Sequence, residues 1–314
     1  MFEIVKLTYV CQYWRSTLIS CPHLWSSIFV KNDHQDFVAA CLERSREVTL
    51  TVRLDLKYGI SHDYLDCTCT RDGRRSGMRI NKSNPCRYHA TIHPLVNIDH
   101  IQRIRKLDVH LALLDNVTDD GLDLHFGDAL REFKFFAFPL LILESLSFRV
   151  HHWLDPDTHI EFPSELFSWR SSPSTELRHL ALRNCYGGPI QAVCNLTSLE
   201  LYGDLVYCPP MDLDQRIFLP LISNSPSLVS LRLSHCCFPD RGRLLRITPV
   251  KLPELKSLWL MDIYRLSGFS GLIEILALKT LSAFWILPQD KKSRLVGFRD
   301  VAHFLVRAES DNGF

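Results

Sequence analysis

The feature that most constrains this chain is a phrase it repeats four times. Leu-x-x-Leu-x-Leu occurs in "LRHLALRNC" (Leu177 to Cys185), "LTSLEL" (Leu196 to Leu201), "LVSLRLSHC" (Leu228 to Cys236) and "LKSLWLMDI" (Leu255 to Ile263). In an extended chain successive side chains alternate between two faces, so Leu180 and Leu182 share one face while His179, Ala181 and Arg183 share the other. One such strand cannot bury its leucine face alone. Copies laid side by side can, because they form a continuous apolar ladder. Weaker copies stand earlier, "IRKLDV" (Ile104 to Val109) and "LESLSF" (Leu143 to Phe148), and a last one is expected at Leu278-x-x-Leu281. Their starts are spaced unevenly, from 19 to 39 residues, so the array is degenerate.

Between the copies lie stretches with helical spacing: Phe126, Ala129, Leu130 and Phe133; Phe218, Leu219, Leu221 and Ile222; Leu272, Ile275 and Leu276; Val301, Phe304, Leu305 and Ala308. Alternating strand and helix predicts an α/β fold, a curved leucine-rich-repeat solenoid with a parallel sheet on the concave side and helices on the convex side. An ordinary leucine-rich α/β domain is the alternative, since the phrase also arises by chance in apolar strands. Two copies ending in the Cys that such repeats favour after the strand weigh toward the repeat. On this reading residues 1–47 form a short helical segment. Residues 48–314 form the repeat domain, opening on the strand "VTLTVRL" and carrying an insertion at about 57–98.

Composition excludes several classes of function. Lys and Arg number 36 against 35 Asp and Glu, so no basic excess points to nucleic acid or an anionic membrane. The longest apolar run, Phe135 to Leu143, is broken by Pro139 and is too short to cross a bilayer, and the acidic start Met1-Phe2-Glu3-Ile4 is unlike a signal peptide. The 11 cysteines are then expected to be mostly reduced and buried as small hydrophobes. No Gly-x-Ser-x-Gly, His-Glu-x-x-His, Walker or dinucleotide-binding motif occurs, so the chain is not expected to be an enzyme.

The N-terminal stretch "VCQYWRSTLISCPHLWSSI", residues 10–28, needs its own reading. Leu7, Val10, Cys11, Trp14 and Leu18 fall on one helical face, Cys21-Pro22 ends that helix, and Leu24, Trp25 and Ile28 form a second short apolar face. A solenoid needs a cap over its first repeat, and Trp14 and Trp25 are both expected to be buried under it. The same residues resemble the second half of an F-box, whose Val-Cys-x-x-Trp-Arg and Leu-Trp pattern is matched at Val10, Cys11, Trp14, Arg15, Leu24 and Trp25. With "CPHLW", the amphipathic helix of Phe37, Val38, Cys41 and Leu42, and the strand that follows, the chain is similar to the large fungal families of F-box-like proteins with degenerate leucine-rich repeats. The resemblance implies a cytoplasmic or nuclear protein whose F-box binds the Skp1 adaptor of a cullin-RING ubiquitin ligase, while the repeats capture the protein to be ubiquitinated. The family's leading Leu-Pro-x-Glu-Ile-Leu segment does not stand before Val10. That departure implies either a truncated F-box or a degenerate one serving only as a cap, in which case the protein is an interaction scaffold without a ligase role. The C-terminus, just after a repeat-type helix, likewise reads as cut short.

Two further groups of residues carry expectations. Cys67, Cys69, Cys86 and His89 bracket a polar, Arg-rich stretch and could hold a structural zinc tetrahedrally, although a plain loop and a disulfide explain the same residues. His151, His152, Asp155, Asp157 and His159 read as a solvated turn rather than a metal site. On the strands, the residues flanking the core leucines are expected to make the concave surface: Lys106, Asp108 and His110; Ser145, Ser147 and Arg149; His179, Ala181 and Arg183; Ser198, Glu200 and Tyr202; Ser230, Arg232 and Ser234; Ser257, Trp259 and Met261. Small or charged residues suit solubility there, so Arg183, Tyr202, Arg232, Trp259 and Met261 are the expected contacts to a captured protein.

Overall fold

The structure, a computed structural model, describes residues 11–31, 35–58, 95, 97–113, 142–152, 176–184, 193–203, 211–213, 215–237, 250–261, 276–277 and 283–287. The chain divides into two compact units, Met1–Leu154 with Pro163–Glu176 and Asp155–Phe162 with Leu177–Phe314.

The first unit opens with helix α1 (Gln12–Ser20), which ends at Cys21 because the proline that follows forces an extended backbone there. Pro22 then starts the single turn α2 (Pro22–Trp25), where its missing N–H costs nothing. Strand β1 (Ser27–Lys31), helix α3 (Gln35–Ser45), strand β2 (Leu50–Tyr58), the turn α4 (Ile98–Ile101) and strands β3 (Ile104–Leu113) and β4 (Ser145–His152) follow. The pairs β1–β2, β2–β3 and β3–β4 are all parallel. Their register sets Ile28, Val52, Leu107 and Leu146 in one row and Val30, Leu54, Val109 and Phe148 in the next, and all eight are buried. Val38, Cys41 and Leu42 of α3 are buried as well, as the helical spacing predicts.

The second unit repeats the device. Strands β5 (His179–Arg183) and β6 (Ser198–Tyr202) are followed by the short β7 (Met211–Asp212), helix α5 (Gln215–Ser223), β8 (Ser230–Ser234), the short β9 (Cys236–Cys237) and β10 (Val250–Lys251), β11 (Ser257–Met261), the short β12 (Leu276–Ala277) and β13 (Ala283–Leu287). The sheet order β5-β6-β8-β11-β13 is parallel throughout. Leu180, Leu199, Leu231 and Leu258 form one buried row; Leu182, Leu201, Leu233 and Leu260 form the second. At about 1.5–3 kcal/mol for each leucine taken fully from water, these rows are the main source of the unit's stability. Helix α5 buries Phe218, Leu219, Leu221 and Ile222 and leaves Pro220, which has no N–H to donate, on its exposed side.

The backbone at the strand ends repeats with the leucines. The amides of Asn184, Gly203 and His235 each donate to the last carbonyl of the next strand, at Tyr202, Ser234 and Met261, all at 2.8 Å. Asn184 and His235 make this turn with φ of 54° and 51°. Gly203 is needed for a different reason: a Cβ there would lie 2.4 Å from the backbone oxygen of His235. Cys236, at the position where the repeat favours Cys, is fully buried, and its thiol hydrogen-bonds to the Ser234 carbonyl at 3.2 Å.

Three expectations are corrected. β1 lies inside the segment read as purely helical and pairs with β2. The last copy does not keep the register of a start at Leu278: Ala283 pairs with Ser257 and Phe284 with Leu258, so Phe284 and Ile286 hold the places of Leu258 and Leu260, while Leu278 and Leu281 lie outside the described residues. Leu276, read as helical, lies in a strand paired with Val250–Lys251, because a short apolar run carries no period of its own. The expected helices at residues 126–133 and 301–308 lie outside the described residues, as does nearly all of the insertion.

Candidate functional site

On the second unit the face opposite the leucine rows is built from three rows: His179, Ser198, Ser230 and Ser257; Ala181, Glu200, Arg232 and Trp259; Arg183, Tyr202, Ser234 and Met261. Most of these side chains are half-buried, the strand alternation leaving one side of each open to solvent. Arg232 is the centre of the arrangement. Its Nη1 lies 3.4 Å from Glu200 Oε1 on one neighbouring strand, and its guanidinium stands 5.1 Å from the centroid of the Trp259 ring on the other. Trp259 is held from below, its indole Nε1–H donating to Ser257 Oγ at 2.9 Å. Tyr202, one row on, is near enough to interact with both Arg232 and Glu200, and burial pushes its phenol above the ordinary range. Three of the five contacts expected from sequence, Tyr202, Arg232 and Trp259, therefore meet as one cluster. Arg183 and Met261 share its edge row, Arg183 beside Tyr202 and Met261 beside Ser234. Glu200, which organises the cluster, was on the expected surface but not singled out.

The corresponding face of the first unit carries charge pairs. Asp108 is flanked by Arg53 at 3.7 Å and Arg149 at 4.0 Å, and His110 Nδ1 lies 3.5 Å from Asp55. Arg53 also stands over the Phe29 ring at 5.3 Å.

At the N-terminus the two tryptophans part. Trp25 is 3% exposed, donates through Nε1–H to the Leu18 carbonyl at 2.8 Å, and carries the Arg44 guanidinium over its ring at 4.4 Å. Trp14 is 50% exposed, which contradicts its expected burial, and Tyr13 and Ile19 are exposed beside it. The spacing of 11 puts the two on one face only if a single helix runs through both, and Pro22 ends that helix. Of α1 only Leu18 is buried. Cys11 caps the helix, its sulfur accepting the Trp14 amide at 3.5 Å; Cys11 and Arg15 are exposed, Leu24 is half-buried, and Val10 lies outside the described residues. Sequence reasoning also missed Arg103, which clamps the end of α3 by donating to the Val48 carbonyl at 2.9 Å and to Ser45 Oγ at 2.8 Å. Its acceptors are more than fifty positions away, so no local signal marks it.

The described cysteines are all free thiols. Burial pushes Cys41 up to about 11 and Cys236 higher still, which leaves both protonated and inert at neutral pH. Cys67, Cys69, Cys86 and His89 lie outside the described residues, and among those described no group of His, Cys, Asp and Glu is placed to hold a metal ion. No described helix is long and apolar enough to cross a membrane. No protein-family model matches the chain, and no curated protein matches it.

Proposed function

We propose that this protein is a protein–protein interaction module, the substrate-recognition subunit of a Skp1-cullin-F-box ubiquitin ligase. The observation that carries the interaction reading is the Tyr202–Arg232–Trp259 cluster. Side chains of the three kinds that dominate binding hot spots are gathered on one half-exposed sheet face and held there by Glu200 and Ser257. Pre-ordered side chains lose less entropy when a partner arrives, so such a cluster favours binding. Repeats of this kind form a curved leucine-rich solenoid, and that face is its concave surface.

The ligase link rests on the resemblance of "VCQYWRSTLISCPHLW" to the F-box and on the exposure of Tyr13 and Trp14. A helix that served only as a cap would turn its largest aromatic side chains inward; α1 turns them out. The protein in this reading does no chemistry itself. It holds the captured protein, and other subunits transfer ubiquitin. The test is co-purification of the full chain with a Skp1-type adaptor, alone and as the Tyr13→Ala/Trp14→Ala variant. Adaptor retained by the parent and lost by the variant supports the ligase role, whereas failure of the parent to retain it leaves the scaffold reading in its place.

A further inference from the structure

The second unit's polar face also bears on the chemistry of what it captures. Among the described side chains of its three rows, Arg183 and Arg232 stand against Glu200, an excess of positive charge. Glu200 is already committed to Arg232, and that commitment is weak. The 3.4 Å separation exceeds the roughly 2.7–2.9 Å of a charge-assisted hydrogen bond. Arg232 Nε is buried and makes no hydrogen bond among the described residues. The capacity open to a partner lies elsewhere on the guanidinium, which meets Glu200 through Nη1 alone while 41% of the Arg232 side chain is open to solvent.

We propose that this face binds an extended acidic segment of the captured protein, with a partner carboxylate taking Arg232 from Glu200 and an adjacent apolar or aromatic side chain lying against Trp259 and Met261. Glu200 is then an internal stand-in for the partner's acid. It holds the guanidinium over the Trp259 ring in the free protein and is displaced on binding. Arginine suits this exchange because its planar fork can turn from one carboxylate to another while its face stays on the indole. This inference rests on the reading of the face as the partner-binding surface and is independent of the ligase link.

The test uses the full chain and two labelled probes, the random copolymers poly(Glu,Tyr) and poly(Lys,Tyr), with binding followed by fluorescence anisotropy. The parent protein is expected to bind poly(Glu,Tyr) in preference to poly(Lys,Tyr). Glu200→Gln, which removes the internal competitor, tightens that binding about threefold, and Arg232→Gln weakens it about tenfold, the loss of one well-placed charge contact. Glu254→Gln makes the same change in net charge away from the cluster and is expected to leave affinity unchanged. Arg232→Lys, which keeps the charge and loses the fork, is expected to recover little. Equal tightening by Glu200→Gln and Glu254→Gln would overturn the proposal in favour of simple net charge. So would binding of oligodeoxythymidylate as tight as that of poly(Glu,Tyr), which would mark a general polyanion surface. Preference for poly(Lys,Tyr), abolished by Tyr202→Ala/Trp259→Ala, would overturn the acidic class and leave the face standing. Indifference of both probes to that double variant would remove the face itself.

Discussion

In the first unit Asp108 lies between Arg53 and Arg149, so three strands are tied together across their polar face by one carboxylate shared between two guanidiniums. In the second, Arg232 faces one carboxylate, that of Glu200 at 3.4 Å, and lies over the Trp259 ring with Tyr202 nearby. The two units bury the same kind of ladder, two rows of branched or aromatic side chains on parallel strands. What differs is the face the ladder leaves open. On the first unit's face Arg53 and Arg149 share the one Asp108 carboxylate, and a partner that replaces such a solvent-screened pair gains little. The second unit's face gathers Tyr202 and Trp259 about its guanidinium and so offers aromatic area to desolvate together with a charge contact. The common core is therefore about standing up, and the difference between the faces is about binding.

Substitutions should separate those two roles. The largest effects are expected in the shared ladder: Phe148→Ala in the first unit should cost about 3–5 kcal/mol and Leu231→Ala in the second about 2–5 kcal/mol, read from denaturant unfolding. A face substitution that destabilised as much would break the division of labour. Gly203→Ala comes next, at about 1–3 kcal/mol, because its methyl group would meet the backbone of His235 rather than a movable side chain. The charged faces come third. Asp108→Asn and Glu200→Gln should each change stability by less than about 1 kcal/mol, as solvent screens such pairs, yet only the second should alter binding.

The smallest effect is one of pH. Burial first, and then the charge of Arg103, lower His100 below its ordinary 6.5, while Asp99 opposes them. A base whose folded pKa is depressed binds fewer protons folded than unfolded, so its contribution to stability is complete above pH 6.5 and falls as the pH drops below it. His100→Gln should flatten the stability profile on that acid side and leave it unchanged above. An unchanged acid limb in the variant would show that His100 does not contribute.

The ladder was legible because a two-residue alternation reports directly which side chains turn inward, and Leu180 to Leu260 obey it on β5, β6, β8 and β11. β1 was not, since "SIFVK" has two inward positions and no leucine phrase around them. The final copy was misplaced because Leu278-x-x-Leu281 imitates the opening of the motif, and only the pairing of β13 with β11 fixes the register of the last strand. Trp14 was misplaced because the apolar face that it shares with Cys11 and Leu18 is buried at Leu18 alone among the described residues. Of the candidate site, the residues that share a face could be read off, but the joining of Glu200, Arg232 and Trp259 could not. It depends on which strands become neighbours and in what register, and α5 with its flanking chain separates β6 from β8 in sequence.

The central claim is that the second unit's face is where this protein meets its partner, and the Tyr202→Ala/Trp259→Ala double variant tests it most directly. Parent and variant, matched for unfolding midpoint, would be crosslinked in the cells that express them and their bound proteins compared by quantitative mass spectrometry. The account predicts that proteins held by the parent are lost from the double variant and kept by Asp108→Asn. Retention of all of them by the double variant, or their loss from Asp108→Asn alone, would contradict it.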